Sequence, residues 1–358
     1  ARVSGLLHPL LGLISGLAMA GVLLFGGRMV MAGTISTGDF VAFLLYLAML
    51  TWPMIALGWV VNLFQRGAAS MRRINTILDT PAGPVQTGTG RASSPRGGIE
   101  FRNVSFRFPG ADRDALHDIS FTLTAGERLG VVGATGSGKS ALVSLIPRIH
   151  DVTSGEILLD GQPIREIPLE LLRAAIGMVP QDSFLFSETI RENLAFGIDE
   201  MEDSDRRIIA AARVAQLDQT IRELPNGYDT LLGERGVNLS GGQKQRATLA
   251  RAIARAPRIL IIDDGLSAVD THTESDILRG LREVVQNRTS IIVSHRVSAV
   301  IDVDQILVLG DGRILEQGTH GELLSLNGTY ASLLRRQILE QEVKGGEKLA
   351  HSGDDVLV

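Results

Sequence analysis

The sequence predicts an α/β domain over residues 99–338, preceded by two α-helices that cross a membrane. Three observations carry this prediction. Two long stretches near the start hold no formal charge, strand-like and helix-like apolar patterns alternate from residue 99 onward, and two glycine-marked turns each open a helical run. At 358 residues the chain is long enough for two domains. A formal net charge of −5 leaves no electrostatic footprint for nucleic acid as a partner. The lack of cysteine excludes disulfides, thiolate metal sites and thiol catalysis.

The charge-free stretches run over residues 3–27 and 40–65. A helix needs roughly 20 apolar residues to cross the ~30 Å hydrocarbon layer, so each is long enough to span. The connection GRMVMAGTISTGD is short and rich in turn residues, which makes a helical hairpin. Arg66, Arg72 and Arg73 follow the second span and place that end in the cytoplasm. A secretory signal would be one shorter apolar run, and two runs stand here. Pro53, after Trp52, is expected to kink the second span. Leu63, Phe64, Ile74, Ile77 and Leu78 keep helical spacing, so that span continues as a cytoplasmic helix and residues 1–78 form a partial membrane domain. Residues 79–98, rich in Gly, Pro, Ser and Thr, read as a linker, and 339–358 as a polar tail.

The soluble domain begins with IEFRNVSFRF, in which the alternation slips by one residue, as in a strand with a bulge. ISFTL alternates again, and residues 128–132 lead into GATGSGKS, residues 133–140. A G-x-x-x-x-G-K-S segment between a strand and a helix turns its backbone N–H groups toward phosphate oxygens. Gly133, Ala134, Thr135, Gly136, Ser137, Gly138, Lys139 and Ser140 are therefore candidate nucleotide contacts, with Lys139 on the β/γ-phosphates and the Ser140 hydroxyl on Mg²⁺. ILIIDD then predicts a fully buried strand ending in Asp263, a second candidate Mg²⁺ ligand.

LSGGQKQR, residues 239–246, supplies another anion-binding helix start at Ser240-Gly241-Gly242, with the helix read from Gln245 to Ala254. One nucleotide does not need two such cradles in one chain. Two copies facing head to tail would use both, each covering the nucleotide on the other's phosphate loop. The plainer reading makes Ser240 a helix cap and nothing more.

At this point the sequence resembles the ATP-binding cassette (ABC) superfamily across residues 99–338. GATGSGKS resembles its Walker A, ILIIDD its Walker B, and LSGGQ, with Gln243, its signature. The resemblance implies a P-loop NTPase fold with a RecA-like core, an antiparallel β subdomain and an α-helical signature subdomain. It further implies that Gln181 in VPQD is the Q-loop glutamine, on Mg²⁺ and linked to the membrane helices. By the same resemblance Asp270, ending SAVD, belongs to the D-loop, and His295 in VSHR is the switch histidine. Phe108 stands where the family places an adenine-stacking tyrosine, and its π face serves equally. GERG (233–236, with Glu234) and SETIRENLAFG (187–197) are similar to exporter segments. Exporter half-transporters of the family carry six membrane helices, and the two here resemble the last two. The sequence is therefore expected to be a piece of a longer chain, and its start without methionine fits that.

The resemblance implies an exporter ATPase using ATP and Mg²⁺ in the plasma (bacterial inner) membrane, multi-pass, with the cassette in the cytoplasm. Its implied partners are the lipid bilayer, a second half-transporter and an exported small molecule, lipid or peptide. One departure bears on mechanism. The family usually has glutamate after the Walker B aspartate, to orient or deprotonate the attacking water, and this chain has Asp264. One methylene less withdraws the carboxylate by on the order of 1 Å, a displacement that costs about a hundredfold in rate. A heterodimer follows as the favoured reading: this Walker site turns over slowly while the intact LSGGQ completes a partner's site. The alternatives are a homodimer in which Asp264 suffices, and an ATP-gated switch with little turnover.

Overall fold

The computed structural model describes residues 2–80, 95–198, 203–236, 238–284 and 288–339. Most of the expected linker (81–94) and of the expected tail (340–358) therefore lies outside the described residues. The chain divides into two compact units, Ala1–Ala82 and Gly83–Val358.

The first unit is a helical hairpin of α1 (Arg2–Met31) and α2 (Thr37–Leu78). Ser36 stops the turn and starts α2: its hydroxyl accepts from the Asp39 amide at 3.1 Å, and the Asp39 carboxylate accepts from the Ser36 amide at 3.3 Å. That reciprocal cap satisfies two donors which a helix start otherwise leaves open. The ring of Phe40 lies against Gly26, where an added Cβ would stand 2.6 Å away. α2 runs as one helix through Pro53 and on past the apolar stretch to Leu78. Both helices are long and apolar enough to cross a membrane. Phe43, Trp52 and Trp59 are each more than half exposed, a surface suited to hydrocarbon or to further helices.

The second unit packs two sheets and a helical layer. β1 (Ile99–Phe106), β2 (Leu116–Leu123), β4 (Ser154–Leu159) and β5 (Gln162–Pro163) form an antiparallel sheet in the order β2-β1-β4-β5. β1 carries the anticipated irregularity: its register with β2 shifts between Phe101 and Val104, where Asn103 adopts φ 47°. It ends at Phe106, earlier than the sequence suggested, and leaves Phe108 on the turn beyond.

The larger sheet has the order β10-β9-β3-β8-β7-β6. Its strands are β3 (Arg128–Gly133), β6 (Ile176–Val179), β7 (Ile259–Asp263), β8 (Thr289–Val293), β9 (Gln305–Gly310) and β10 (Arg313–Gly318). All neighbours are parallel except β9 and β10. The helices are α3 (Lys139–Leu145), α4 (Leu169–Ala174), α5 (Ile190–Ala195), α6 (Ser204–Val214), α7 (Asp218–Arg222), α8 (Gly241–Ala254), α9 (Thr271–Val284) and α10 (His320–Leu326). A further helix, α11, covers 329–339.

β7 accounts for its own unbroken aliphatic run. Ile259 and Ile261 enter one core with the stacked Phe101 and Phe121 rings (centroids 4.6 Å apart) and with Leu142 and Leu145 of α3. Leu260 and Ile262 face the other way, into the helical core of α5, α6 and α8. A strand covered on both faces has no polar side to alternate with.

The entry of this unit is tied down separately. Asp160, on the tight turn between β4 and β5, accepts from the amides of Arg96 (2.6 Å), Gly97 (3.2 and 3.3 Å) and Gly98 (2.8 Å). Three successive donors on one carboxylate pin the residues just ahead of β1.

Candidate nucleotide site

Strand register brings the predicted groups to one end of the large sheet. Val293 of β8 pairs with both Val131 of β3 and Asp263 of β7. The residues that follow these three positions leave the sheet on the same side: the 133–140 loop, His295 and Asp264. Ligands of parallel sheets bind at such carboxyl ends.

The loop is shaped for an anion. Gly138 adopts φ 101° at the start of α3 and provides no side-chain cap, so the first amides of the helix stay open. A Cβ at Gly138 would lie 2.7 Å from the carbonyl oxygen of Ala115, which closes the inner side, whereas Gly136 faces open space. Ser137 is buried, and its hydroxyl has no hydrogen-bond partner. The Lys139 ammonium donates to the carbonyls of Gly133 (2.9 Å) and Ala134 (2.8 Å), groups that an anion would displace. Burial lowers the Lys139 pKa, while the charges of Asp264 and Asp263 oppose that shift.

Ser140 Oγ donates to Asp263 Oδ1 at 3.1 Å, a hydroxyl–carboxylate pair whose oxygens suit a hard divalent cation. Asp263 is 4 % exposed, and burial raises its pKa; hydrogen bonding from Ser140 acts against that, and the neighbouring Asp264 adds to it. A bound cation would reverse this balance. The residues present therefore fit Mg²⁺. Asp264 bends away at φ 50°, its amide donating to the Val293 carbonyl at 2.9 Å. Its Oδ1 lies 2.8 Å from His295 Nδ1, so the imidazole directs that N–H at the carboxylate. The following Gly265 is tightly packed, with an added Cβ 2.6 Å from Val179, a constraint the sequence did not disclose.

Gln181 stands exposed two residues past the end of β6, the strand beside β7. Phe108 is 41 % exposed and meets Phe106 and His150 edge-on at 4.7 and 5.4 Å. Its turn closes with Ala115 N donating to Phe106 O, and the Ala115 carbonyl in turn lies against Gly138 of the loop.

The signature residues go elsewhere. α8 begins at Gly241, four residues before the expected Gln245. Ser240 caps it: its hydroxyl accepts from the Gln243 amide (3.3 Å), and Gln243 Oε1 accepts from the Ser240 amide (2.8 Å). Among the described residues, no hydrogen bond joins Ser240–Gln243 to the 133–140 loop. The helix start instead abuts the segment ahead of α9, where a Cβ on Gly242 would lie 2.9 Å from Ala268 O. Asp270 caps α9 by accepting from the Thr273 amide at 3.0 Å.

Sequence reasoning missed Gln245. Its side chain is buried, donates to Ser267 Oγ (3.0 Å) and accepts from the Ala268 amide (2.8 Å), joining α8 to the D-loop. A polar residue on the buried face of an otherwise amphipathic helix was the available signal. Glu274 and Arg296 were also missed; the buried Glu274 carboxylate pairs at 2.5 Å with the half-buried guanidinium of Arg296, the residue after His295.

A mostly parallel sheet with an anion-shaped glycine loop after β3, adjacent carboxylates at β7 and a separate glycine-opened helix is the arrangement of a P-loop nucleotide-binding domain. Residues 116–267 match the family model described as ABC transporter. A probable multidrug resistance ABC transporter ATP-binding/permease protein, YheI of Bacillus subtilis, is 40 % identical over 346 residues, 97 % of this chain and 59 % of that protein. An ATP-dependent lipid A-core flippase of Methylobacillus flagellatus is 40 % identical over 94 % of this chain and 57 % of its own length. An ATM1-type heavy metal exporter of Novosphingobium aromaticivorans is 41 % identical over 94 % and 55 %. A bacterial Atm1-family ABC exporter solved with ATP bound superposes with a TM-score of 0.70 at 40 % identity, covering 94 % of this chain and 59 % of that one. The chain is thus similar over nearly its whole length to ABC transporter proteins, and it spans somewhat over half the length of these relatives.

Proposed function

We propose that this chain is the ATP-binding and ATP-hydrolysing part of an ABC exporter subunit, together with two of its membrane helices. The observation that carries the reading is the connected set Lys139, Ser140–Asp263 and Asp264–His295 at one sheet end. Similarity across both units to proteins named as exporters and flippases supports the coupling to transport.

In this reading Gly133 to Gly138 turn their amides to the phosphates, and Lys139 leaves the loop carbonyls for the β/γ-phosphates. Ser140, Asp263 and Gln181 would hold Mg²⁺, which when bound would neutralise charge on the transferring phosphoryl group. Phe108 stacks on the adenine. Asp264 orients the attacking water, and His295, aimed by Asp264, stands at the γ-phosphate. Ser240, Gly241, Gly242 and Gln243, with Asp270, serve the site of a second half-transporter, because among the described residues no hydrogen bond joins them to their own phosphate loop. ATP binding closes two cassettes and hydrolysis reopens them, moving a small molecule, lipid or peptide across the plasma (bacterial inner) membrane. The cassette lies on the cytoplasmic side.

We infer a heterodimer with a weak Walker site here, on the ground that Asp264 is one methylene shorter than glutamate. A homodimer with a competent site is the second reading, favoured by the 2.8 Å Asp264–His295 contact. Steady-state ATP turnover by the complete subunit in lipid, alone, as wild type and as Asp264→Glu, separates them. The heterodimer reading expects a nearly inactive wild type and at least tenfold recovery with glutamate. Brisk wild-type turnover installs the homodimer. Thermal unfolding accompanies both, because the left-handed backbone at 264 suits aspartate better than glutamate.

A further inference from the structure

The switch segment is held from behind by a residue of α11 that none of the motifs contains. Gln337 Oε1 accepts from the Val297 amide at 2.8 Å, and Gln337 Nε2 donates to the His295 carbonyl at 2.5 Å. One side-chain amide thus clasps the main chain on both sides of Arg296. Only a primary amide offers a donor and an acceptor at the same tip; a carboxylate only accepts, and leucine does neither.

The other attachments of this segment leave its backbone for Gln337 to fix. The Arg296 side chain pairs with Glu274, and the Arg296 amide donates to Ser294 Oγ at 2.9 Å. The His295 ring faces Asp264. No other side chain among the described residues holds the His295 carbonyl or the Val297 amide.

Nor does α11 need Gln337 to stay docked. At its start the Glu316 carboxylate accepts from the amides of Thr329 and Tyr330. Tyr330 is fully buried in the core with Val300 and Leu323, and its hydroxyl meets His320 Nδ1 at 2.7 Å. The helix is anchored two turns before Gln337 is reached. Its end is therefore free to act on the switch.

We propose that Gln337 is a positioning residue for His295, setting the main chain from which the imidazole reaches both Asp264 and the γ-phosphate. This rests on the ATPase reading above. A displacement of about 1 Å at a catalytic group costs on the order of a hundredfold, so even partial loosening is measurable.

The test uses the complete subunit in lipid without a partner, followed through single turnovers, so that even slow hydrolysis reads this chain's own Walker site. Gln337→Leu is expected to lower kcat about tenfold or more, with KM for ATP and unfolding temperature nearly unchanged. Gln337→Glu, which keeps the acceptor and loses the donor, falls between. In a His295→Ala background Gln337→Leu should cost no further kcat, because the group being positioned is gone. An equal loss in that background overturns the proposal in favour of plain packing, and so does an unchanged kcat in the wild-type background. Hydrogen exchange without nucleotide gives an independent reading. Gln337→Leu should speed exchange across 294–300 and leave 320–334 protected; unchanged exchange across 294–300 overturns the clasp itself. A wild type that hydrolyses no ATP, alone or with a partner, overturns the ATPase reading, and it is told apart from failure of the clasp by this exchange result.

Discussion

The 133–140 loop and the 240–243 helix start are both glycine-opened cradles, yet they are wired in opposite ways. The loop is joined to the chain's own chemistry, through Ser140 to Asp263 and through the field of Asp263 and Asp264 at Lys139. The helix start bonds to itself through Ser240 and Gln243 and leans on Ala268. The difference teaches that a glycine-opened helix start can be closed on itself by its own cap, and on the reading proposed above that start is left for a nucleotide held by another chain.

The largest expected effects break the two cradles in distinguishable ways. Lys139→Ala removes a charge-assisted phosphate contact and should weaken ATP binding by about 10- to 100-fold. Gly242→Val sets a branched side chain against Ala268 O and should leave ATP affinity of the nucleotide-loaded loop within about twofold. ATP turnover of the assembled transporter should instead fall at least tenfold. Equilibrium binding beside steady-state turnover checks both, and a Gly242→Val chain that loses affinity as Lys139→Ala does would erase the contrast.

A smaller effect sharpens it. Gln245→Ala leaves the Ala268 amide without its buried acceptor and should cost about 1–3 kcal/mol in chemical denaturation. Turnover should fall alongside, because the D-loop and the signature helix then lose their common support.

The smallest is a pH effect confined to the loop side. Burial raises the folded-state pKa of Asp263 above its ordinary 3.8, so the folded chain holds that proton more tightly than the unfolded chain. Ionising Asp263 therefore costs stability as pH rises from 3.8 through the folded value. In the absence of divalent cation, Asp263→Asn should gain unfolding temperature relative to wild type as pH climbs from about 4 toward 7. A difference that stays constant with pH would show that burial at 263 carries no such penalty.

What the sequence disclosed follows from the range of the interactions. The double-faced burial of β7, the phosphate loop and the slip in β1 are each written in a few consecutive residues, and each was legible. The start of α8 was read four residues late because glycines have poor helix propensity, and only the Ser240 cap compensates for them. The left-handed backbone at Asp264 could not be read from ILIIDD, since aspartate is at home in several conformations. Gln337 meets His295 across 42 positions. A single pair of hydrogen bonds at that separation leaves no period and no spacing for a reader of sequence to notice.

The carboxylate of Asp160 has a mechanical consequence. It grips the amides of residues 96–98 at the point where the chain arrives from the segment that follows the helical hairpin. Tension delivered along that segment would meet the clasp before it reached the first hydrogen bonds of β1, and three parallel bonds share a load that a strand end would yield one bond at a time. The sheet is thus shielded from peeling at its first strand, because a pull on residues 96–98 would be passed to the turn after β4.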